Sequence, residues 1–140
     1  MPDSIARAQA AKQRGQKGED AAARLLQGKG MEILERNWRH GQWELDIVCR
    51  DGDTLVFVEV KTRDARGMAR PDDALTPRKK NALRHAIHTW LHAHDAWEYP
   101  CRVDVVAVYC ADDTLTLEHY PDAFSFSPPV GGGNTTWQPW

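Results

Sequence analysis

The run Leu55-Val56-Phe57-Val58-Glu59-Val60-Lys61-Thr62-Arg63 constrains the fold of this chain more than any other stretch. It begins apolar and β-branched and ends with a carboxylate and an ammonium two residues apart. Side chains on a β-strand alternate with a period of two, so Val56, Val58 and Val60 face one way and Leu55, Phe57, Glu59, Lys61 and Arg63 the other. A strand apolar on both faces is a central strand, covered on both sides. Opposite charges at the end of such a strand call for a chemical reason.

The run before it supplies one. Trp43 to Cys49 alternates as a second strand, with Trp43, Leu45, Ile47 and Cys49 on one face and Glu44, Asp46 and Val48 on the other. Asp51-Gly52-Asp53, between the two runs, is a hairpin signal. With residues 51–54 as the loop, Asp46 lies directly opposite Glu59; with 51–52 as the loop, it faces Phe57 and is diagonal to Glu59. Both registers put Asp46, Glu59 and Lys61 on one face, whereas a three-residue loop does not. Two carboxylates about 5 Å apart on neighbouring strands repel. A positive group is therefore expected between them: Lys61, in a salt-bridge cluster, or a divalent cation.

The remaining elements follow from periodicity. Ser4 can cap a first helix and Gly28 or Gly30 can end it, with Ala21, Ala22, Leu25 and Leu26 as a narrow apolar stripe. Gly15 and Gly18 each weaken that helix by about 1 kcal/mol relative to Ala, so residues 1–14 are open to fraying. Glu19, at the margin of the stripe, reads as a solvated Glu or as a third carboxylate. Met31 to Trp38 forms an edge-like strand that Gly41 terminates. A Gly-, Pro-, Asp- and Arg-rich loop from Asp64 to Asp73 leads to Thr76-Pro77, an N-cap and first helical position. Leu83, Ile87, Trp90 and Leu91 then mark an amphipathic helix ending near His94. Its first turn holds Arg78, Lys79 and Lys80, the wrong sign for the helix dipole at a cost of about 0.3–1 kcal/mol per charge. These are solvated cations or a phosphate-contacting patch. His85, His88 and His92 share a face, but no third ligand stands at fixed spacing, so solvated histidines are expected rather than zinc. Arg102 to Tyr109 reads as a buried strand and Thr114 to Tyr120 as a shorter one. Residues 1–124 are thus expected to form one domain, and residues 125–140 a disordered tail without periodicity.

Composition excludes several classes. No apolar run approaches the roughly 20 residues of a membrane span, and Met1 to Arg7 lacks the apolar region of a signal peptide. Three scattered cysteines with no CxxC pair argue against a disulfide framework and a zinc ribbon. A cytoplasmic chain is expected. Residues 1–94 hold 17 Lys/Arg against 13 Asp/Glu, and residues 95–140 hold 1 against 7. The half bearing Glu59 and Lys61 is therefore mildly basic, as a polyanion-binding surface would be.

Mg²⁺-assisted phosphodiester hydrolysis needs one or two carboxylates, with waters and substrate phosphate completing the shell. It also needs a cation that orients the attacking water and stabilises developing charge. Asp46 and Glu59 are the candidate ligands for Mg²⁺ or Mn²⁺, Lys61 the water-positioning cation, and Glu19 a third carboxylate. Arg63 is a candidate phosphate contact beside Arg78, Lys79 and Lys80. The arrangement resembles the PD-(D/E)xK nuclease superfamily, with Leu45 where the motif's proline would stand.

More narrowly, the chain resembles the YraN family, small predicted endonucleases related to archaeal Holliday-junction resolvases. The resemblance runs from about Gly15 to Val108. It rests on Gly18-Glu19 with Ala22 and Leu25, Asn37-Trp38-Arg39, and Glu44-Leu45-Asp46-Ile47-Val48. It continues through Val56 to Arg63, Lys80, and Arg102-Val103-Asp104-Val105-Val106. The family's Gly-Glu-Ile-Asp block is altered, with Gln42-Trp43 between Gly41 and Glu44. The resemblance implies an α/β, restriction-endonuclease-like mixed β-sheet flanked by helices, in the order α-β-β-β-α-β-β. It also implies Asp46, Glu59 and Lys61 as the catalytic set, supported by Glu19, and DNA, branched DNA included, as the partner. Resolving a junction would require a homodimer, with two sites on a two-fold axis. The competing expectations are a nucleic-acid-binding module that does not cut, and a partner-binding protein whose charged cluster is a salt-bridge network.

Overall fold

The computed structural model describes residues 2–64 and 75–124. The elements are α1 (Pro2–Gly28), β1 (Glu32–His40), β2 (Trp43–Asp51), β3 (Thr54–Asp64), α2 (Pro77–His94), β4 (Cys101–Ala111) and β5 (Thr114–Phe124). They occur in the expected order and form one mixed sheet, β1-β2-β3-β4-β5. Neighbours are antiparallel except β3 and β4, which run parallel. A parallel pair needs a crossover, and the segment carrying α2 supplies it. The expected tail and most of the expected loop after β3 lie outside the described residues.

The central run behaves as its double apolar pattern requires. On one face Leu55 and Phe57 join Leu83, Ile87, Trp90 and Leu91 of α2 in a core with Val103 and Val105. On the other, Val56 and Val58 join Ala22, Ala23 and Leu26 of α1 with Val106 and Val108. Phe57 meets Trp90 edge to face at 5.6 Å, an arrangement that adds about 0.5–1.5 kcal/mol to the burial of the rings. The sheet is therefore a layer between two helices, with β3 and β4 buried on both faces.

The first helix runs unbroken through Gly15 and Gly18, and Ser4 lies inside it, with Pro2 at its start rather than Ser4 as a cap. Its end is set by Gly30 at φ +92. Met31 N–H donates to the Leu26 carbonyl and Gly30 N–H to the Gln27 carbonyl, the paired bonds of a Schellman stop. At Gly18 the helix comes so close to the sheet that a Cβ would lie 2.5 Å from Thr62 Oγ1 and 3.5 Å from Val108. Thr76 accepts from Lys79 N–H to start α2, with Pro77 in the first turn, as the sequence indicates.

The pairing of β2 with β3 follows the register of the 51–54 alternative, with Ile47 opposite Val58 and Arg50 opposite Leu55. The strands extend one pair further, Asp51 to Thr54, and turn on Gly52-Asp53, with Gly52 at φ +62. The Gln42-Trp43 departure is absorbed in the β1–β2 turn: Gly41 takes φ +60, His40 pairs with Trp43, and Trp43 stacks on His85 at 4.8 Å.

The expected alternation of β2 is corrected. It does not hold from end to end: Trp43, Leu45 and Val48 pack on the α2 side, whereas Ile47 and Cys49 pack on the α1 side. The phase changes at Asp46. Across β1, Asn37 lies between the pairs Arg36–Ile47 and Trp38–Leu45, and takes φ +52, a left-handed backbone that Asn tolerates better than most residues.

The cysteines are free. Cys49 is fully buried, and burial pushes its thiol up to about 12. The histidines differ from the solvated row expected: His85 lies on Trp43, and His88 meets Trp97 edge-on at 4.7 Å.

Candidate functional site

The break in β2 decides where Asp46 points. Its Oδ2 accepts from the backbone N–H of Val60 at 2.8 Å, so the side chain lies at the seam between β2 and β3. It takes the place of a ladder carbonyl just past the last regular pair, Ile47–Val58. There it lies near the Glu59 carboxyl, and each group stands in the other's field. Their surroundings raise the proton affinity of both groups. Burial, and then the negative charge of Asp46, push Glu59 up to about 7, while Lys79 and Lys61 pull it down. Burial also raises Asp46, opposed by the Val60 N–H and Lys79.

Three other elements deliver charges to this pair. From α1, Glu19 is brought in by the close approach at Gly18. Burial and the charge of Asp46 raise its pKa, against the pull of Arg36 and a hydrogen bond from Asn37. From β1, Arg36 reaches Glu19 at 3.4 Å and Asp20 at 2.6 Å. From α2, Lys79 Nζ lies 3.1 Å from Glu59 Oε1. Lys61, next on the Glu59 face of β3, is exposed, and its field still lowers Glu59.

The structure thus gathers Glu19, Asp46, Glu59 and Lys61 at one place. It divides the first-turn patch of α2. Lys79 turns into the carboxylates, Lys80 lies over the Phe124 ring at 5.3 Å, and Arg78 stays in solvent. Arg63 is half-buried on β3, opposite Tyr109 of β4. The sequence reading missed Lys79 as a member of the acidic site and Arg36 and Asn37 as the groups that hold Glu19. The run of three cations signalled Lys79 but could not say which of the three turns inward. The Asn37 signal was its place in a strand that disfavours it.

The donor set is hard oxygen only: two neighbouring carboxyl groups with a third within their field. Among the described residues no three His, Cys, Asp or Glu side chains form a ready-made metal cage. Mg²⁺ does not need one, because it keeps several waters and takes one or two carboxylates. The residues present fit such an ion.

Residues 18–108 match the family described as "Uncharacterised protein family UPF0102". The chain belongs to that family. UPF0102 is the YraN family, so the resemblance read from the motifs is borne out. All of the gathered side chains fall inside the matched span. A UPF0102 protein of Nitratidesulfovibrio vulgaris (strain DP4) is 56% identical over 126 residues, covering 90% of this chain and 94% of the relative. One from Lawsonia intracellularis is 49% identical over 126 residues, covering 90% and 96%. One from Beutenbergia cavernae is 50% identical over 94 residues, covering 67% and 80%. No described helix of this UPF0102 protein is long and apolar enough to cross a membrane.

Proposed function

We propose that this UPF0102 protein is a metal-dependent endonuclease that hydrolyses phosphodiester bonds in DNA, branched DNA among its substrates. The observation that carries the reading is the placing of Asp46 on the Val60 N–H at the strand seam beside the buried, Lys79-paired Glu59, with Lys61 next on the Glu59 face. Leaving two carboxyls together in a mostly buried place is costly unless positive charge joins them. Asp46 and Glu59 would hold Mg²⁺ or Mn²⁺, which would supply Lewis-acid stabilisation and a more acidic water. Lys61, exposed at the mouth of the site, orients the attacking water and stabilises the charge developing on the phosphate. Glu19, kept in place by Arg36 and Asn37, extends the carboxylate set. Arg63, Arg78 and Lys80 lie on the elements bordering the site and contact backbone phosphates. Cutting both strands of a four-way junction requires two copies on a two-fold axis.

The Lys79–Glu59 ion pair also suits a second reading, in which the cluster is a salt-bridge network. Calorimetry separates the two: binding heat with Mg²⁺ or Mn²⁺ that Asp46→Ala abolishes belongs to the metal site, and no heat belongs to the network. A nicking assay on linear, flapped and four-way-junction DNA then tests cutting. Wild type is expected to exceed Lys61→Ala by about 10²-fold or more, the range for one positioned catalytic group. Equal trace activity in the two proteins leaves a nucleic-acid-binding module, with binding that falls steeply with salt.

A further inference from the structure

The helix brings to the carboxylate pair a cation that the strand's own lysine does not replace. Lys79 Nζ is 3.1 Å from Glu59 Oε1, and the two side chains are 36% and 8% exposed. Lys61 is exposed and has no ion pair among the described residues. The backbone of Lys79 is fixed, because its N–H donates to the Thr76 cap at the start of α2. No acidic residue stands in that first turn to pair with its cations, and the positive end of the helix dipole disfavours them. What holds the Lys79 ammonium is Glu59 first, then Asp46 and Glu44.

We propose that Lys79 is the resident counter-ion of the Asp46–Glu59 pair, competing with a divalent cation for Glu59 and released by it to meet a phosphate oxygen of the nucleic acid. This rests on the metal-dependent reading above. An ammonium neutralises one of two carboxylates, whereas a divalent cation neutralises both, so the exchange goes forward when the cation is present. The lysine head sits on a flexible four-carbon stem with three rotatable donors, so leaving Glu59 does not require α2 to move.

The test is Mg²⁺ titration by calorimetry into the full chain at about pH 8.5, above the pH at which protons compete for Glu59. Lys79→Met is expected to bind Mg²⁺ about tenfold more tightly, because one unit charge beside the site has gone. Lys79→Arg keeps wild-type Mg²⁺ affinity, because the charge stays in place. In fluorescence anisotropy with Ca²⁺ and a short DNA duplex, Lys79→Met loses about tenfold in affinity. Tighter Mg²⁺ binding together with weaker duplex binding supports the exchange. Equal or weaker Mg²⁺ binding by Lys79→Met overturns it and leaves the metal site standing. Unchanged duplex affinity overturns the phosphate half, and no Mg²⁺ heat from either protein overturns the metal site as well.

Discussion

Folding leaves Glu59 6% exposed as a residue, in the field of the Asp46 carboxyl, and its affinity for a proton rises accordingly. A carboxyl with a raised pKa is protonated in the native state at a pH where the unfolded chain has already lost that proton. Between about pH 4.5 and 7 the unfolded state therefore binds fewer protons, and the contribution of Glu59 to stability falls as pH rises through that window. Asp46 and Glu19 are shifted in the same direction, whereas His88 is lowered and acts in the opposite sense. A single-site comparison removes that ambiguity. Glu59→Gln keeps the shape and cannot ionise, so in metal-free buffer its stability relative to wild type should be greater at pH 8 than at pH 5. The gain is on the order of a few kcal/mol, each pKa unit counting roughly 1.4 kcal/mol. Urea midpoints at the two pH values measure it; a difference between wild type and Glu59→Gln that does not change with pH refutes the assignment. Mg²⁺ at pH 8 should stabilise wild type and leave Glu59→Gln much less affected, because an ion that binds only the native state stabilises it by mass action.

Two glycines of α1 separate helix propensity from packing within one element. Around Gly15 a Cβ would meet nothing within 4 Å, so Gly15→Ala should stabilise by about 0.5–1 kcal/mol through the unfolded chain's lost freedom. At Gly18 the Cβ would meet Thr62 Oγ1 and Val108. Gly18→Val adds β-branching to that clash and should cost about 1–3 kcal/mol or more, and it should weaken Mg²⁺ binding by displacing Glu19. Thermal melts of the two variants should move in opposite directions; the same sign for both would mean that α1 is not held by this contact. Sequence alone read both glycines as weak points, because propensity is local and the approach of β3 is not. The same limit applies to β2. Its strand character, hairpin and register class were legible in alternation and turn chemistry. The change of phase at Asp46 was not; it lies across β1 from Asn37, whose left-handed backbone no alternation announces. That break aims Asp46 at the Val60 N–H, so the residue pair was legible in the sequence but the way it meets was not.

At the level of the whole molecule, a second polar cluster lies apart from the carboxylate site and ties the sheet to the end of α1. Asp104 on β4 is 0% exposed. It accepts from Arg102 Nε at 3.0 Å, from Asp122 N–H at 2.9 Å, and from His119 Nε2 at 2.8 Å. His119 Nδ1 in turn faces Lys29 Nζ at 2.8 Å, just past α1, and Arg102 reaches Asp51 at the β2–β3 turn at 3.2 Å. Two strands, the end of α1 and the β2–β3 turn are thus linked through one buried carboxylate. The sequence displayed Asp104 as a polar interruption of an apolar strand with Arg102 two residues before it on the same face; its partners from β5, and Lys29 behind His119, stand at separations that no local pattern encodes. Arg102 offers an internal comparison, because one guanidinium pairs with a buried carboxylate and with one that is 46% exposed. Breaking a buried pair leaves its partners desolvated and costs about 3–5 kcal/mol, whereas an exposed pair contributes about 0–1 kcal/mol. Asp104→Ala should therefore remove a large share of the roughly 5–15 kcal/mol that holds a domain together, and Asp51→Asn should change little. Urea denaturation of the two variants measures the contrast. Comparable losses would show that the cluster acts as a surface network, and that β5 and the end of α1 are fastened by their apolar contacts alone.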